Sequence, residues 1–229
     1  VISRGVTPAY LLEELTGQAG DKGNSTAGIV AEGRLASVVE EDRLGPWVFE
    51  NGKPSEIPAP QALGQFRACD VSIKGANAVD PNGNIGVLAA DGGGGTVGGI
   101  WGTLTARGSH WVAPVSLERL IPDVVEAARV SGNHLWDLTM GQSAGLMPVV
   151  NAQVVTEVEA IAILTGVKAT HIASGGVAGS EGAVMLSLSG AETDVRAAFD
   201  MLEDIKGEEQ FESPRLIPYI REPETSPQS

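Results

Sequence analysis

One cysteine, Cys69, stands among the 229 residues, so the chain can close no disulfide of its own and build no cysteine-based zinc site. That scarcity fits a reducing, cytoplasmic setting. Aromatic side chains are few, with four Trp, four Phe and two Tyr against thirty glycines, which favours tight turns and helices packed closely on a sheet. Positive charge is also short: 15 Lys and Arg face 29 Asp and Glu, for a formal net charge of −14. A nucleic-acid backbone or an anionic membrane would be repelled over the whole surface, so neither is expected as a partner, and an anionic ligand needs a local device. No apolar run approaches the roughly 18 residues of a membrane span, and no charged-then-apolar leader stands at Val1. Two of the three histidines, His110 and His134, have no carboxylate or cysteine at ligand spacing, so no metal or other cofactor is expected.

What is present suffices for a core, since 42% of the residues are hydrophobic and the length suits one large domain or two small ones. The pattern predicts a strand end at 1–3, a helix capped by Thr7 with Pro8 at its first position and running through Leu15, and a strand or broken pair over 29–40. Asn51-Gly52 after Trp47-Val48-Phe49 predicts a hairpin. Pro54, Pro58 and Pro60 bar helix until about Gln61. Short apolar runs at 71–73 and 85–89 read as buried parallel strands, followed by a helix at 96–106, a strand at 111–115 and a helix at 120–130. From 147 onward the order is strand, helix, strand, strand, helix, with a last strand at 216–219, which is the ferredoxin-like succession. The fold class expected is α/β, an open and mostly parallel sheet over 1–139 followed by a ferredoxin-like α+β domain over 140–220 and a loose tail over 221–229.

The stretch from Cys69 to Gly99 carries the most chemistry. An apolar strand, a Gly75-Ala76 turn, an Asp80-Pro81-Asn82-Gly83 loop and a second strand lead into Gly92, Gly93, Gly94 and Gly95. Backbone amides crowded at a glycine-rich helix start suit a phosphate or carboxylate, with Thr96 adding a hydroxyl and Asp91 opposing. Lys74 and Asp80 flank the first turn, where a pair of this kind can orient a hydroxyl or aldehyde, and a lysine desolvated by burial can form a Schiff base. The segment from His171 to Gly182 gathers a histidine, Ser174, Ser180 and Glu181 between two strands. It can place His171 and Glu181 together as acid and base if it folds over the main sheet. Glu50-Asn51-Gly52 has the form of a coenzyme A transferase catalytic tripeptide, and Gly141-Gln142-Ser143-Ala144-Gly145 has the spacing of a nucleophile elbow. A hairpin turn and a linker account for these two as well.

The frame Lys74, Gly75, Ala76, Asn77, Ala78, Val79, Asp80, Pro81, Asn82, then Asp91 and the glycines, resembles the A type of ribose-5-phosphate isomerase. That family carries Asp-Gly-Ala-Asp-Glu-Val-Asp, a short Pro/Asn loop and Lys-Gly-Gly-Gly. The segment at Gly5 and Thr7 sits where the family has a Gly-Thr-Gly-Ser-Thr loop. The resemblance implies the parallel α/β fold shared with glucosamine-6-phosphate deaminase and coenzyme A transferases. It also implies a site for a small anionic metabolite formed by Gly5, Thr7, Gly75, Asn77, Asp91, the glycines and Thr96, with Lys74, Asp80 or Glu181 as catalytic groups. The family's acidic site positions fall here on Lys74, Asn77 and about Ile100, so its proton-shuttling carboxylate is replaced. The expectations that follow are a divergent isomerase acting on a sugar phosphate by aldose-ketose proton transfer, a non-catalytic ligand-binding or regulatory protein of the same fold, or a coenzyme A transferase-like enzyme. A homo-oligomer is compatible with each.

Overall fold

A computed structural model describes residues 1–208 and 210–219; the tail expected from 221 lies outside them. Along the chain run α1 (Val6–Thr16), β1 (Gly28–Ala31), β2 (Arg34–Ser37), β3 (Val48–Glu50), β4 (Lys53–Ser55), α2 (Ala59–Gly64) and β5 (Val71–Ile73). Then come β6 (Ala78–Val79), β7 (Ile85–Ala89), α3 (Gly95–Arg107), β8 (His110–Pro114), α4 (Val124–Arg129) and β9 (Gly145–Val149). The chain continues through β10 (Gln153–Val155), α5 (Glu157–Thr165), β11 (Lys168–Ser174), β12 (Val184–Ser189) and α6 (Glu192–Asp204). The result is a mixed α/β structure in which β10, β8 and β5 form a parallel sheet in that order. Ile2 extends it by bridging Ile73 in parallel and Trp47 in antiparallel fashion, which joins the β3–β4 hairpin to the edge. That hairpin turns at Asn51 and Gly52, whose φ angles of 52° and 78° are those the Asn-Gly pair supplies.

The run at 85–89 is a buried strand, as expected, but an antiparallel one. It pairs with β6 on one side and β9 on the other, because the turn from Asp80 to Asn84 is too short for the crossover that a parallel pair requires. The crossover from β5 to β8 is made instead by the whole β6–β7 hairpin and α3. That helix contains Gly98, Gly99 and Gly102 and is poorly favoured by intrinsic propensity. Its hold on the fold comes from Val97, Ile100 and Leu104, which lie on one face and pack with Ile85, Val87, Trp111, Ala113 and Val149. Each such burial contributes roughly 1.5–3 kcal/mol relative to exposure.

Other boundaries shift for local reasons. Gly5, not Thr7, is the N-cap of α1, since Ala9 N–H already bonds Gly5 C=O at 3.0 Å and Pro8 is harmless within a first turn, where N–H groups need no partner. α2 begins before Gln61 by the same tolerance of proline near a helix start. The helix expected over 120–130 is confined to α4, capped by Asp123, which accepts from Glu126 N–H at 2.8 Å; Ile121 instead donates to Val79 C=O and precedes Pro122, which disfavours helix there.

The ferredoxin-like succession exists along the chain but is not gathered into one four-stranded sheet. β11 and β12 form a two-stranded sheet of their own, sharing a small core of Ile161, Val167, Ala169 and Ala198 with α5 and α6. β9 pairs along its full length with β7, β10 pairs with β8, and Leu216 makes a single bridge to Val38.

Candidate functional site

The carboxyl ends of neighbouring parallel strands are where open α/β sheets collect ligands. Ser3 N–H bonds Ile73 C=O at 2.9 Å, so Arg4 and Gly5 leave the sheet beside Lys74 and Gly75; a Cβ on Gly75 would lie 3.5 Å from Pro8 Cδ and 3.3 Å from Pro114 C=O. Because Trp47 runs antiparallel to Ile2, the chain entering it brings Arg43 and Leu44 to the same end. The loops after β5, β8 and β10 are tied together. Arg119 donates to Ala76 C=O at 2.7 Å, and Leu117 N–H donates to the Glu157 carboxylate at 2.9 Å.

Two of the acidic residues expected at the site are committed to structure. Asp80, 3% exposed, accepts from Asn82 N–H, Asn84 N–H, the Asn84 side-chain amide and Val124 N–H at 2.9–3.1 Å. Burial alone would raise its carboxyl, but these bonds outweigh that and hold it below the ordinary range. It clamps the β6–β7 turn to the start of α4, and with its acceptors engaged it is a poor choice of general base. Asp91 fills the predicted anion cradle itself, accepting from Gly93 N–H at 2.8 Å and Gly95 N–H at 3.2 Å, while Gly94 N–H bonds Asp91 C=O. A side chain at Gly94, where φ is 81°, would meet Met147 Sδ, and one at Gly98 would overlap Gly93 C=O. Close approach and a positive φ therefore account for Gly94, and a φ of 56° for Gly95, while Asp91 takes the amides of Gly93 and Gly95.

The hairpin from 171 to 182 does reach this end of the molecule. Ser174 Oγ donates to Leu117 C=O at 3.4 Å, and Gly182 lies against the Glu118 carboxylate. The expected pairing of His171 with Glu181 is absent among the described contacts: His171 Nε2 lies 3.0 Å from Ala173 C=O and 2.7 Å from Ser174 Oγ, whereas Glu181 accepts from Gly179 N–H at the exposed tip. Glu50 accepts from Ser55 Oγ within its hairpin. Ser143 sits in an irregular segment with Gly132 C=O as its partner at 3.5 Å, and Gln142 ties that segment to β2, so no strand-to-helix elbow forms. Ile100 is 4% exposed in the core, so the position where the resemblance would put a carboxylate is apolar and closed.

What remains for binding is basic and polar. Lys74 is half-buried, no ion pair or hydrogen bond reaches its ammonium among the described residues, and desolvation lowers its pKa to about 8. Arg4 donates to Leu44 C=O at 3.0 Å and Arg43 to Val38 C=O at 2.9 Å, and among the described residues neither guanidinium has a carboxylate partner. Burial and the adjacent Arg43 both lower the pKa of Arg4, with Glu40 partly offsetting them. Asn77 is exposed and uses its Oδ1 to accept from Leu88 N–H at 3.0 Å, leaving the amide nitrogen to donate. No side chain caps α1, so among the described residues the Val6 and Thr7 amides of its first turn are left without a partner. Gly5 and Thr7 are legible in the sequence and Arg4 and Arg43 are not; the only signal for the arginines is two cations in an acidic chain, and it takes the fold to bring them together.

A cavity of about 670 Å³ lies between α1, the β3–β4 hairpin and the proline segment, with Leu44 and Ser25, the carbonyl partners of Arg4 and Gly5, also in its lining. Leu12, Trp47, Phe49 and Ile57 line it alongside the Glu13 and Glu56 carboxylates, a setting unsuited to an anion. Among the described residues no group of three His, Cys, Asp or Glu side chains is placed to hold a metal ion, and no helix is long and apolar enough to cross a membrane. No protein-family model, curated protein or solved structure matches the chain.

Proposed function

We propose that the chain is a divergent relative of the sugar-phosphate isomerases that binds a small phosphorylated or carboxylated carbonyl compound where its parallel strands end. The observation that carries this reading is a pair of arginines with no ion pair among the described residues in a strongly acidic chain: Arg4 and Arg43 for the anion, with the backbone of Lys74 on the neighbouring strand. A crossover from β5 to β8 through a hairpin and a glycine-opened helix supports the isomerase-like frame. The anion is assigned to Arg4, Arg43 and the first turn of α1 instead of the glycine run, because the Asp91 carboxylate already uses those amides. Asn77 supplies a neutral donor for a sugar hydroxyl.

A second reading, a binding or regulatory protein of the same fold, is favoured by the structural engagement of Asp80 and Asp91. Both readings require the same ligand class. A thermal-shift screen against sugar phosphates, sugar acids, acyl coenzyme A esters and nucleotides tests them together, since a ligand at about 100 times its Kd stabilises by roughly 2.7 kcal/mol. The expected result is a shift with sugar phosphates or sugar acids that is lost in Arg4→Met. A shift confined to coenzyme A esters, or one indifferent to Arg4→Met, contradicts the assignment. Catalysis is then read by incubating that compound with the protein and following aldose-ketose interconversion.

A further inference from the structure

We propose that Lys74 acts as an amine nucleophile, forming an iminium with the carbonyl carbon of the ligand; the inference rests on the ligand class proposed above. Five lysines occur in the chain, and they differ sharply in setting. Lys53, Lys168 and Lys206 are exposed. Lys22 lies 2.8 Å from the Glu13 carboxylate and over the Tyr10 ring. Among the described residues only Lys74 is half-buried with no carboxylate in ion-pair contact, at the carboxyl end of β5, with Asn77 in the loop that follows and Arg4 leaving the adjacent strand. Desolvation with no compensating charge keeps a useful share of its amine neutral near neutral pH, on the order of a hundredfold more than at an ordinary lysine.

The step balances without any further reagent. The neutral Nζ lone pair attacks the carbonyl carbon, the C–N bond forms, and the carbonyl pair moves onto oxygen. A proton passes from nitrogen to that oxygen. The carbinolamine then loses the oxygen as water after a second proton arrives from solvent, leaving the C=N⁺ bond, and hydrolysis reverses the sequence. The iminium acidifies the neighbouring C–H bond, so that solvent water can take the proton where Ile100 offers no carboxylate.

The test is borohydride trapping at pH 7.5 with pyridoxal 5′-phosphate, which joins an aldehyde to a phosphate, and separately with pyruvate and cyanoborohydride, each followed by peptide mapping. Label at Lys74 should form about tenfold or more faster than at Lys22, Lys53, Lys168 or Lys206, and Lys74→Arg should abolish that fast fraction while its far-UV circular dichroism matches the parent. Labelling of Lys53, Lys168 and Lys206 at the same rate as Lys74, or fast label on another lysine surviving in Lys74→Arg, would overturn the proposal. Failure of the parent reading looks different: inorganic phosphate then fails to slow pyridoxal 5′-phosphate labelling, while fast pyruvate label at Lys74 persists and the nucleophile assignment stands.

Discussion

At the residue scale, two titrating groups report opposite sides of the fold's electrostatics. Asp80 is held below its ordinary pKa because hydrogen bonds to its charged form outweigh its burial. Its stabilisation is therefore present above the unfolded value of 3.8 and lost as pH falls through the lower folded value. Asp80→Asn should cost about 1–3 kcal/mol at pH 7 in urea unfolding, and the gap to the parent should close below pH 3.8; a gap constant with pH would contradict the clamp role. For Lys74 the sign reverses. Its folded pKa of about 8 lies below the ordinary 10.5, so the unfolded chain binds more protons between those values. The parent should gain stability relative to Lys74→Met across that window, with a slope approaching about 1.4 kcal/mol per pH unit, and show no relative change below it. The Lys74 and Asp80 positions were visible in the motif, but their roles were not. A turn motif shows that a carboxylate is present, whereas only the fold shows that Asn84 and Val124 engage it.

Among the elements, the glycine-opened start of α3 separates what the run of four needs from what it permits. Gly94 has a left-handed φ of 81° and faces Met147, while Gly92 has no atom within 4 Å of where a Cβ would stand. Gly94→Ala should destabilise by at least about 1–2 kcal/mol, and Gly92→Ala should stay within roughly 0.5 kcal/mol, as read by chemical denaturation of the two variants side by side. Equal costs would mean the turn is not built as described. Element types were largely legible in the sequence: the hairpin at Asn51-Gly52, α3 after the glycines, and α5, whose capping box joins Thr156 and Glu159. Pairing was less so. The run at 85–89 has the composition of a buried parallel strand, yet the short turn behind Asp80 makes it antiparallel, and a continuous apolar run does not encode the direction of its neighbour.

For the whole molecule, the division expected near 139 meets two strands that cross it. β9 completes the sheet of β6 and β7 and brings Val149, fully buried, into the main core; β10 adds an edge to β8. A fragment of residues 1–139 should therefore lack a cooperative thermal transition, because it exposes Ile85 and Trp111 and loses the ladder of β7. A sharp transition like that of the full chain would show instead that the first part folds alone. The ferredoxin-like succession misled because order along a chain does not say which sheet a strand joins, and β9 finds its partner among earlier strands.

The same scale holds the central claim, that strands ending at Arg4 and Lys74 make the ligand crevice. It is tested most directly by titrating the ¹⁵N-labelled full chain with a sugar phosphate and following amide shifts by NMR. The largest changes should fall on Arg4 to Thr7, Arg43, Leu44 and Lys74 to Asn77, leaving Gly93 and Gly95 bonded to Asp91 and nearly still. Changes centred on Gly92 to Thr96, with Arg4 and Lys74 unmoved, would contradict it.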